Sequence, residues 1–273
     1  MKTVKLFWWR PPSYSNWNPK KYFTDHQKRY KDIQVNFGDE LSEFIVNKTL
    51  NTSVTKAEAK EQNKLIGIGS VLHFAQDHDT VWGSGINGKK RELNAKGETL
   101  NVLGVRGPLT REFLMYKNCQ VPEIYGDPAL LLKKLYPQEK NTSKPERDYI
   151  IVPHFSELEN PAFKNYEDKI VKPNQTPEKV IEEILQAKFV ISSSLHGIIV
   201  AESYGIPSIL LKITNEEPMF KYMDYYYGTE RFKFQYAKSI EEALTIGGMP
   251  PPVFDAEKMI ASLQNWHANN NQK

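Results

Sequence analysis

The chain has 273 residues, of which 40% are hydrophobic, 12% aromatic and 25% charged, so it has too many aromatic residues for a disordered protein. Its 36 basic and 33 acidic residues leave a net charge of +3, which lacks the basic excess typical of nucleic-acid-binding proteins. The single cysteine, Cys119, cannot form an internal disulfide, and neither a signal peptide nor an apolar run of bilayer length is evident. We therefore expect a cytoplasmic protein without a nucleic-acid partner.

Short apolar runs alternate with helical patterns along most of the chain, which is typical of βαβ units and parallel sheets. In the first half, the pattern predicts helices at residues 38–50 and 108–116, the second with Pro108 in its first turn, where a missing N–H costs nothing. Strands are predicted at residues 4–9, 65–68, 80–82, 102–105 and 123–125.

A polar segment at residues 137–147 divides the chain into two predicted α/β domains, residues 1–137 and 148–273. In the second domain, strands are predicted at 148–152, 188–192 and 208–211, and helices at 177–186, 195–204, 240–246 and 255–267. We expect the last helix to pack back on the first domain and the polar tail 269–273 to be disordered. Two α/β halves that face each other imply a cleft between them.

The most informative stretch follows the predicted strand at 188–192 and opens the next helix. Its residues are Ser192, Ser193, Ser194, Leu195, His196 and Gly197. Serine side chains can cap a helix, and the free N–H groups and positive dipole end would then face the carboxyl edge of the sheet. This predicts an anion site in which His196 transfers a proton. The alternative is a serine cap beside a partly exposed histidine.

A second candidate, Arg106, lies where a predicted strand ends and a helix begins. Its guanidinium could therefore reach the same edge and hold a carboxylate or phosphate through two N–H groups. A surface ion pair is the alternative. The turns at residues 36–39 and 125–128 also carry polar side chains at element ends, and capping explains both.

Other patterns give weaker indications. Residues 83–88 match G-x-G-x-x-G, but polar residues follow instead of an apolar helix face, so nicotinamide binding is not expected. No histidine has the spacing of a metal-ligand pair, so no metal is predicted. The aromatic residues Trp8, Trp9, Tyr14 and Trp17 form either part of the core or a platform for a sugar face.

Six short motifs occur in a fixed order between residues 36 and 211. They are NFGD from Asn36, GIGS from Gly67, WGSG from Trp82, VRGP from Val105, GDPA from Gly126 and SSSLHG from Ser192. No single motif is specific, but the ordered set resembles the polysaccharide pyruvyl transferases.

The resemblance implies two Rossmann-like domains facing across a cleft, as in the GT-B glycosyltransferases, with the acceptor on the first domain and the donor on the second. It implies phosphoenolpyruvate as donor, no further cofactor, and a sugar diol of a surface or capsular polysaccharide precursor as acceptor. The product would be a cyclic pyruvate ketal, with release of phosphate. The acceptor is expected to be lipid-linked, with peripheral contact to the inner face of the membrane.

In that family an arginine and a leucine–histidine pair are implicated in the donor site, and they match Arg106, Leu195 and His196. Asn36, Gly38 and Asp39 are further substrate-binding candidates. Many members carry arginine before the leucine–histidine pair, whereas this chain has Ser194. A GT-B glycosyltransferase that uses a nucleotide sugar, and a non-catalytic sugar-binding or scaffold protein, remain the alternatives.

Overall fold

The structure, a computed structural model, describes residues 3–10, 35–137 and 146–271. Within these ranges the strands form one sheet of five strands and one of four, and every strand pairing in both sheets is parallel. The predicted α/β class is confirmed. Most of the predicted boundary at 137–147, together with Tyr14 and Trp17, lies outside the described residues.

The first sheet, called the N-sheet below, has the strand order β2-β1-β3-β4-β5. Its strands are β1 (Val4–Phe7), β2 (Val54–Lys56), β3 (Leu65–Ile66), β4 (Thr80–Trp82) and β5 (Asn101–Gly104). Helix α1 (Phe37–Leu50) follows β1 in the chain, and helix α2 (Pro108–Tyr116) follows β5. A short 3-10 turn (Pro128–Leu131) and helix α3 (Leu132–Leu135) complete this half.

The second sheet, called the C-sheet, has the order β6-β7-β8-β9. Its strands are β6 (Ile150–Val152), β7 (Val190–Ser192), β8 (Ser208–Leu211) and β9 (Tyr236–Ala237). Strands β6, β7 and β8 are buried along their whole length, as expected for parallel strands covered on both faces. The helices of this half are α4 (Pro177–Leu185), α5 (Leu195–Ser203), α6 (Phe220–Gly228), α7 (Ile240–Ile246) and α8 (Ala256–Asn271).

One hydrophobic cluster contains residues from both sheets and from the helices between them, among them Leu6, Ile45, Leu131 and Ile198. Helix α8 contacts α1 and β5. The indole N–H of Trp82 donates to the carbonyl of Met259 on α8 at 3.0 Å, and Gln264 donates to the carbonyl of Thr49 at 3.2 Å. The C-terminal helix is therefore joined to the N-sheet half.

The predicted strand at 123–125 is wrong, because only Tyr125 forms a bridge, to Val105. Pro122 lacks an N–H on one side, and Gly126 turns the chain at a φ of +128° on the other. The predicted disorder from residue 269 is also wrong for 269–271. Helix α8 continues through them, and Asn270 donates to the carbonyl of Trp266 at 3.1 Å.

Four elements were not predicted from the sequence: strands β2 and β9 and helices α3 and α6. Both strands are at sheet edges, and each keeps at least one residue exposed, so neither carries a strong apolar signal. None of the helices in the described residues combines the length and the apolarity needed to cross a membrane.

Candidate active site

The carboxyl ends of the strands in the two sheets lie against each other. Trp9, after β1, stacks on Phe155, after β6, with ring centroids 6.0 Å apart. On the other side, Lys89, after β4, forms an ion pair with Glu217, after β8, at 2.5 Å. Open α/β sheets bind ligands at this edge, outside the carboxyl ends of their strands. The region enclosed by these contacts is called the cleft below.

His196 lies in this cleft, at the second residue of α5. Its side chain is 13% exposed and meets the ring of Phe37 edge-on, with centroids 6.5 Å apart. A Cβ atom added to Gly38 would lie 2.2 Å from Nδ1 of His196, far inside van der Waals contact. The first turn of α1 therefore packs directly on the first turn of α5, and only glycine leaves room for the imidazole.

Asp127 lies on the other side of the same imidazole. Its Oδ2 is 3.8 Å from Nε2 of His196, and among the described residues both atoms are buried without a hydrogen-bond partner. Its Oδ1 accepts the N–H of Ala129 at 2.9 Å and caps the 3-10 turn at Pro128–Leu131, which confirms the capping role predicted for this turn. The capping role predicted for Asn36 is wrong, because its carboxamide donates to Oδ2 of Asp39 at 2.6 Å instead.

Asp39 is a buried carboxyl group at the start of α1. Burial raises its pKa to about 6, although His196 and the hydrogen bond from Asn36 act in the opposite direction. A carboxyl group of this kind exchanges its proton near neutral pH, which is typical of acid–base sites. Asp39 and His196 together can therefore hold and transfer protons in the cleft.

The three serines before α5 do not cap the helix, contrary to the prediction. Within the described residues, the N-cap residue Ser194 makes no capping bond through its side chain. Ser192 Oγ instead bonds the carbonyl of Val152 at 2.7 Å, and Ser193 Oγ accepts the N–H of His154 at 2.9 Å. The serines join β7 to β6, so the first N–H groups of α5 are not occupied by a side-chain cap. That they bind an anion stays a prediction.

Arg106 is fully buried and has protein partners on all three nitrogen atoms. Nε donates to Asp224 at 3.1 Å, Nη1 to Ser70 Oγ at 2.6 Å and Nη2 to the carbonyl of Ile86 at 2.6 Å. Asp224 lies on α6 and also accepts from the hydroxyl of Thr110 at 2.6 Å. Arg106 therefore joins the N-sheet loops to α6 through a buried ion pair, not a surface one. Its contact with a donor stays a prediction.

A second ionic group in the cleft was missed. Lys221 is buried on α6 and forms an ion pair with Glu217 at 2.6 Å. Burial alone would raise the pKa of Glu217, but Lys221 and His154 bring it to about 2. Burial, reinforced by Lys221, lowers the pKa of His154 to about 3, so this imidazole is neutral near pH 7. The i, i+4 spacing of Glu217 and Lys221 was the signal that could have predicted this pair.

The described residues contain no group of three or more His, Cys, Asp or Glu side chains that could hold a metal ion. The arrangement that they do contain is a set of acids, bases and cations around one imidazole. Two parallel sheets with such a set between their carboxyl ends define an α/β protein with a polar cleft that contains groups able to transfer protons.

Comparison with known proteins narrows this class. The polysaccharide pyruvyl transferase family matches residues 5–215, and the chain belongs to that family. It is 28% identical to the uncharacterized protein L143 of Acanthamoeba polyphaga mimivirus over an alignment of 230 residues that covers 78% of each chain. It is 26% identical to the succinoglycan biosynthesis protein ExoV of Rhizobium meliloti (strain 1021) over 204 residues, 70% of this chain and 60% of ExoV.

No solved structure matches the chain. Family membership supports a role as a transferase in polysaccharide synthesis, and the predicted resemblance is confirmed.

The Asp39→Asn variant tests the buried carboxyl group. Because the pKa of Asp39 is raised in the folded state, the unfolded chain loses its proton first, and the wild type loses stability between about pH 4 and pH 6. A pKa shift of this size corresponds to a loss of about 3 kcal/mol in the free energy of unfolding. The asparagine variant has no carboxyl group at this position and should not show this loss. We expect urea unfolding to show a larger gain from Asp39→Asn at pH 7 than at pH 4. An equal gain in stability at both pH values would contradict a buried Asp39 with a raised pKa.

A double-mutant cycle tests the contact between the two helix starts. Gly38→Ala should destabilise the wild type by about 1–3 kcal/mol, because the added Cβ meets the imidazole. In the His196→Ala background the same change should be neutral or stabilising by up to about 1 kcal/mol, because alanine favours a helix. Asn47→Ala, on the exposed face of α1, is the control and should show no coupling to His196. Additive effects of Gly38→Ala and His196→Ala would mean that the imidazole of His196 does not restrict the size of the side chain at position 38.

The Arg106→Lys variant retains the charge but loses the planar fork that reaches three partners. We expect the free energy of unfolding to fall by about 2–4 kcal/mol, since each lost hydrogen bond leaves a buried group unpaired. The matched control is Arg91→Lys at an exposed arginine, which should change stability by less than about 0.5 kcal/mol. Equal stability of the two variants would argue against a structural role for Arg106.

Proposed function

We propose that the protein is a pyruvyl transferase that uses phosphoenolpyruvate to form a cyclic pyruvate ketal on a sugar diol of a surface or capsular polysaccharide precursor. Phosphate is the second product. One observation carries the proposal: in a chain of this family, His196 lies between two buried carboxyl groups at the start of a helix in the cleft. The reaction needs a proton donor beside an anion, and this arrangement supplies one.

The donor carries both a phosphate and a carboxylate, so its binding requires several cationic or N–H contacts. The first N–H groups of α5 provide one side of the proposed site, together with the positive end of the helix dipole. Lys221 and Lys89 provide the other. Lys221 is close enough to Asp39 and His154 to influence both. We assign to Lys221 the positive charge that many family members obtain from an arginine at the position of Ser194.

The contact between Arg106 and the donor is also part of the proposal, but in a restricted form. Nη1 faces the half-buried Ser70, whereas Nε and Nη2 are held by buried groups. Only the Ser70 side of the guanidinium could therefore turn to a donor carboxylate or phosphate without breaking the ion pair to Asp224.

The chemistry divides into two steps. In the first, a proton is added to the methylene carbon of phosphoenolpyruvate while one sugar hydroxyl attacks C2 and loses its proton. In the second, the other hydroxyl of the diol attacks C2 and phosphate leaves with the remaining proton. We assign proton donation to His196 and acceptance of the first hydroxyl proton to Asp39, whose pKa of about 6 suits it to both protonation states.

The two-domain arrangement is part of the same proposal. Residues 1–137 and 148–273 would form two Rossmann-like domains of the GT-B kind, with the acceptor bound by the first and the donor by the second. The two parallel sheets and the meeting of their carboxyl ends support it. The proposal also places the protein in the cytoplasm, where a lipid-linked oligosaccharide acceptor would bring it into peripheral contact with the membrane.

The test is to incubate the protein with phosphoenolpyruvate and lipid-linked oligosaccharides and to measure phosphate release together with the mass of the acceptor. His196→Ala should reduce turnover by roughly 10²- to 10⁴-fold, the usual contribution of a general acid, while unfolding stays cooperative. The control His267→Ala, on α8, should retain the wild-type rate. Consumption of a nucleotide sugar instead of phosphoenolpyruvate, or full activity of His196→Ala, would contradict the proposal.

A further inference from the structure

We propose that Asp127 is the positioning residue of His196: its carboxylate accepts the Nε2–H of the imidazole, and so presents Nδ1 as the nitrogen that carries the reacting proton. The catalytic part of this inference rests on the proposed function. The pairing of the two side chains is a structural claim that can be tested without any substrate.

The first observation is that two polar atoms face each other without other partners. Nε2 of His196 and Oδ2 of Asp127 are 3.8 Å apart, and both are buried and unpaired among the described residues. Leaving either group unpaired in the interior destabilises the folded state. A closure of less than about 1 Å would bring them into hydrogen-bond distance and satisfy both groups.

The second observation is that the carboxylate of Asp127 is held from behind. Its Oδ1 accepts the N–H of Ala129 at 2.9 Å. The preceding Gly126 adopts a φ of +128°, and a Cβ there would lie 2.5 Å from the ring of Phe254. Pro128 follows directly and restricts the backbone on the other side. The second oxygen, Oδ2, is therefore fixed toward the imidazole.

The third observation concerns the opposite nitrogen. Nδ1 of His196 faces Gly38, a residue without a side chain, next to Asp39. Gly38 packs closely on Nδ1 and leaves no room for a further atom on its own side, so a reacting group would have to approach this nitrogen beside Gly38, whereas Nε2 is closed off by Asp127. The hydrogen bond to Asp127 would thus fix which nitrogen is reactive, because a neutral imidazole carries its proton on one nitrogen only.

The titratable groups around His196 support this assignment. Asp127 faces it from the 3-10 turn, Asp39 from α1 and His154 from the loop after β6. His154 is neutral near pH 7, because burial and Lys221 lower its pKa to about 3. Two carboxyl groups therefore flank the imidazole without an opposing charged histidine. Asp127 can stabilise the imidazolium through Nε2, while Asp39 exchanges protons on the Nδ1 side.

The Asp127→Asn variant separates positioning from structure. The carboxamide oxygen can still accept from Ala129, so the 3-10 turn is retained. The carboxamide N–H₂ group then takes the place of Oδ2 and donates to Nε2, which forces the proton onto Nδ1 in the neutral ring. It cannot accept the Nε2–H of the imidazolium, so the charged form that would donate its Nδ1 proton loses its stabilising partner. We expect kcat to fall by roughly 10²- to 10⁴-fold, with the KM for phosphoenolpyruvate changed by less than about threefold.

The matched control is Asp255→Asn. Asp255 also accepts a backbone N–H, that of Lys258 at 2.9 Å, and caps α8. Its replacement should leave kcat at the wild-type value. Loss of activity in both variants to the same extent would mean that Asp127 acts only as a cap.

The decisive readout is the tautomer of His196, measured by ¹⁵N NMR on the whole protein and assigned with a His196→Gln variant. We expect the neutral wild-type ring to carry its proton on Nε2 and the Asp127→Asn ring to carry it on Nδ1. The same tautomer in both proteins would overturn the proposal. If the tautomer changes but the wild type consumes no phosphoenolpyruvate, the pairing stands and the proposed function fails.

Discussion

The contact between the start of α1 and the start of α5 is the constraint on which the rest of the cleft depends. Gly38 allows the backbone of one helix to reach the imidazole at the first turn of the other. A side chain at this position would push the helices apart and separate the residues that follow β1 from those that follow β7. Because both sheets are parallel, this one close approach brings two carboxyl edges together. The remaining polar groups occupy the space that it encloses.

Those groups are more buried and more charged than stability alone would favour. The pairs Arg106–Asp224 and Lys221–Glu217 are buried, and buried ion pairs are often no more stabilising than apolar residues of the same volume. Asp39 is removed from water at a direct cost in its ionised form. Costs of this kind concentrate where function requires them. In this molecule Asp39 lies close enough to His196 and to Lys221 for both to act on its pKa.

Sequence patterns predicted the local features well and the distant partners poorly. The α/β class, helix α2 and the step from β7 into α5 follow from apolar periodicity and from proline at a helix start. The partner of Arg106 lies 118 positions away on a helix that local patterns did not predict. The local sequence therefore does not show whether this arginine is exposed or paired in the interior. The serines were misread for the same reason, since their partners on and after β6 are about 40 positions away. The GDPA motif predicted a cap, but not that its carboxylate also faces His196.

In the proposed reaction, a proton is added to the methylene carbon of phosphoenolpyruvate while a sugar diol attacks C2. The most direct measurement is to run the reaction in D₂O and to analyse the acceptor by mass spectrometry and NMR. The proposed reaction should leave one deuterium in the methyl group of a cyclic pyruvate ketal, formed together with one phosphate for each acceptor modified. A modified acceptor without deuterium in that methyl group, or an acceptor that gains a sugar instead of a pyruvyl group, would contradict it.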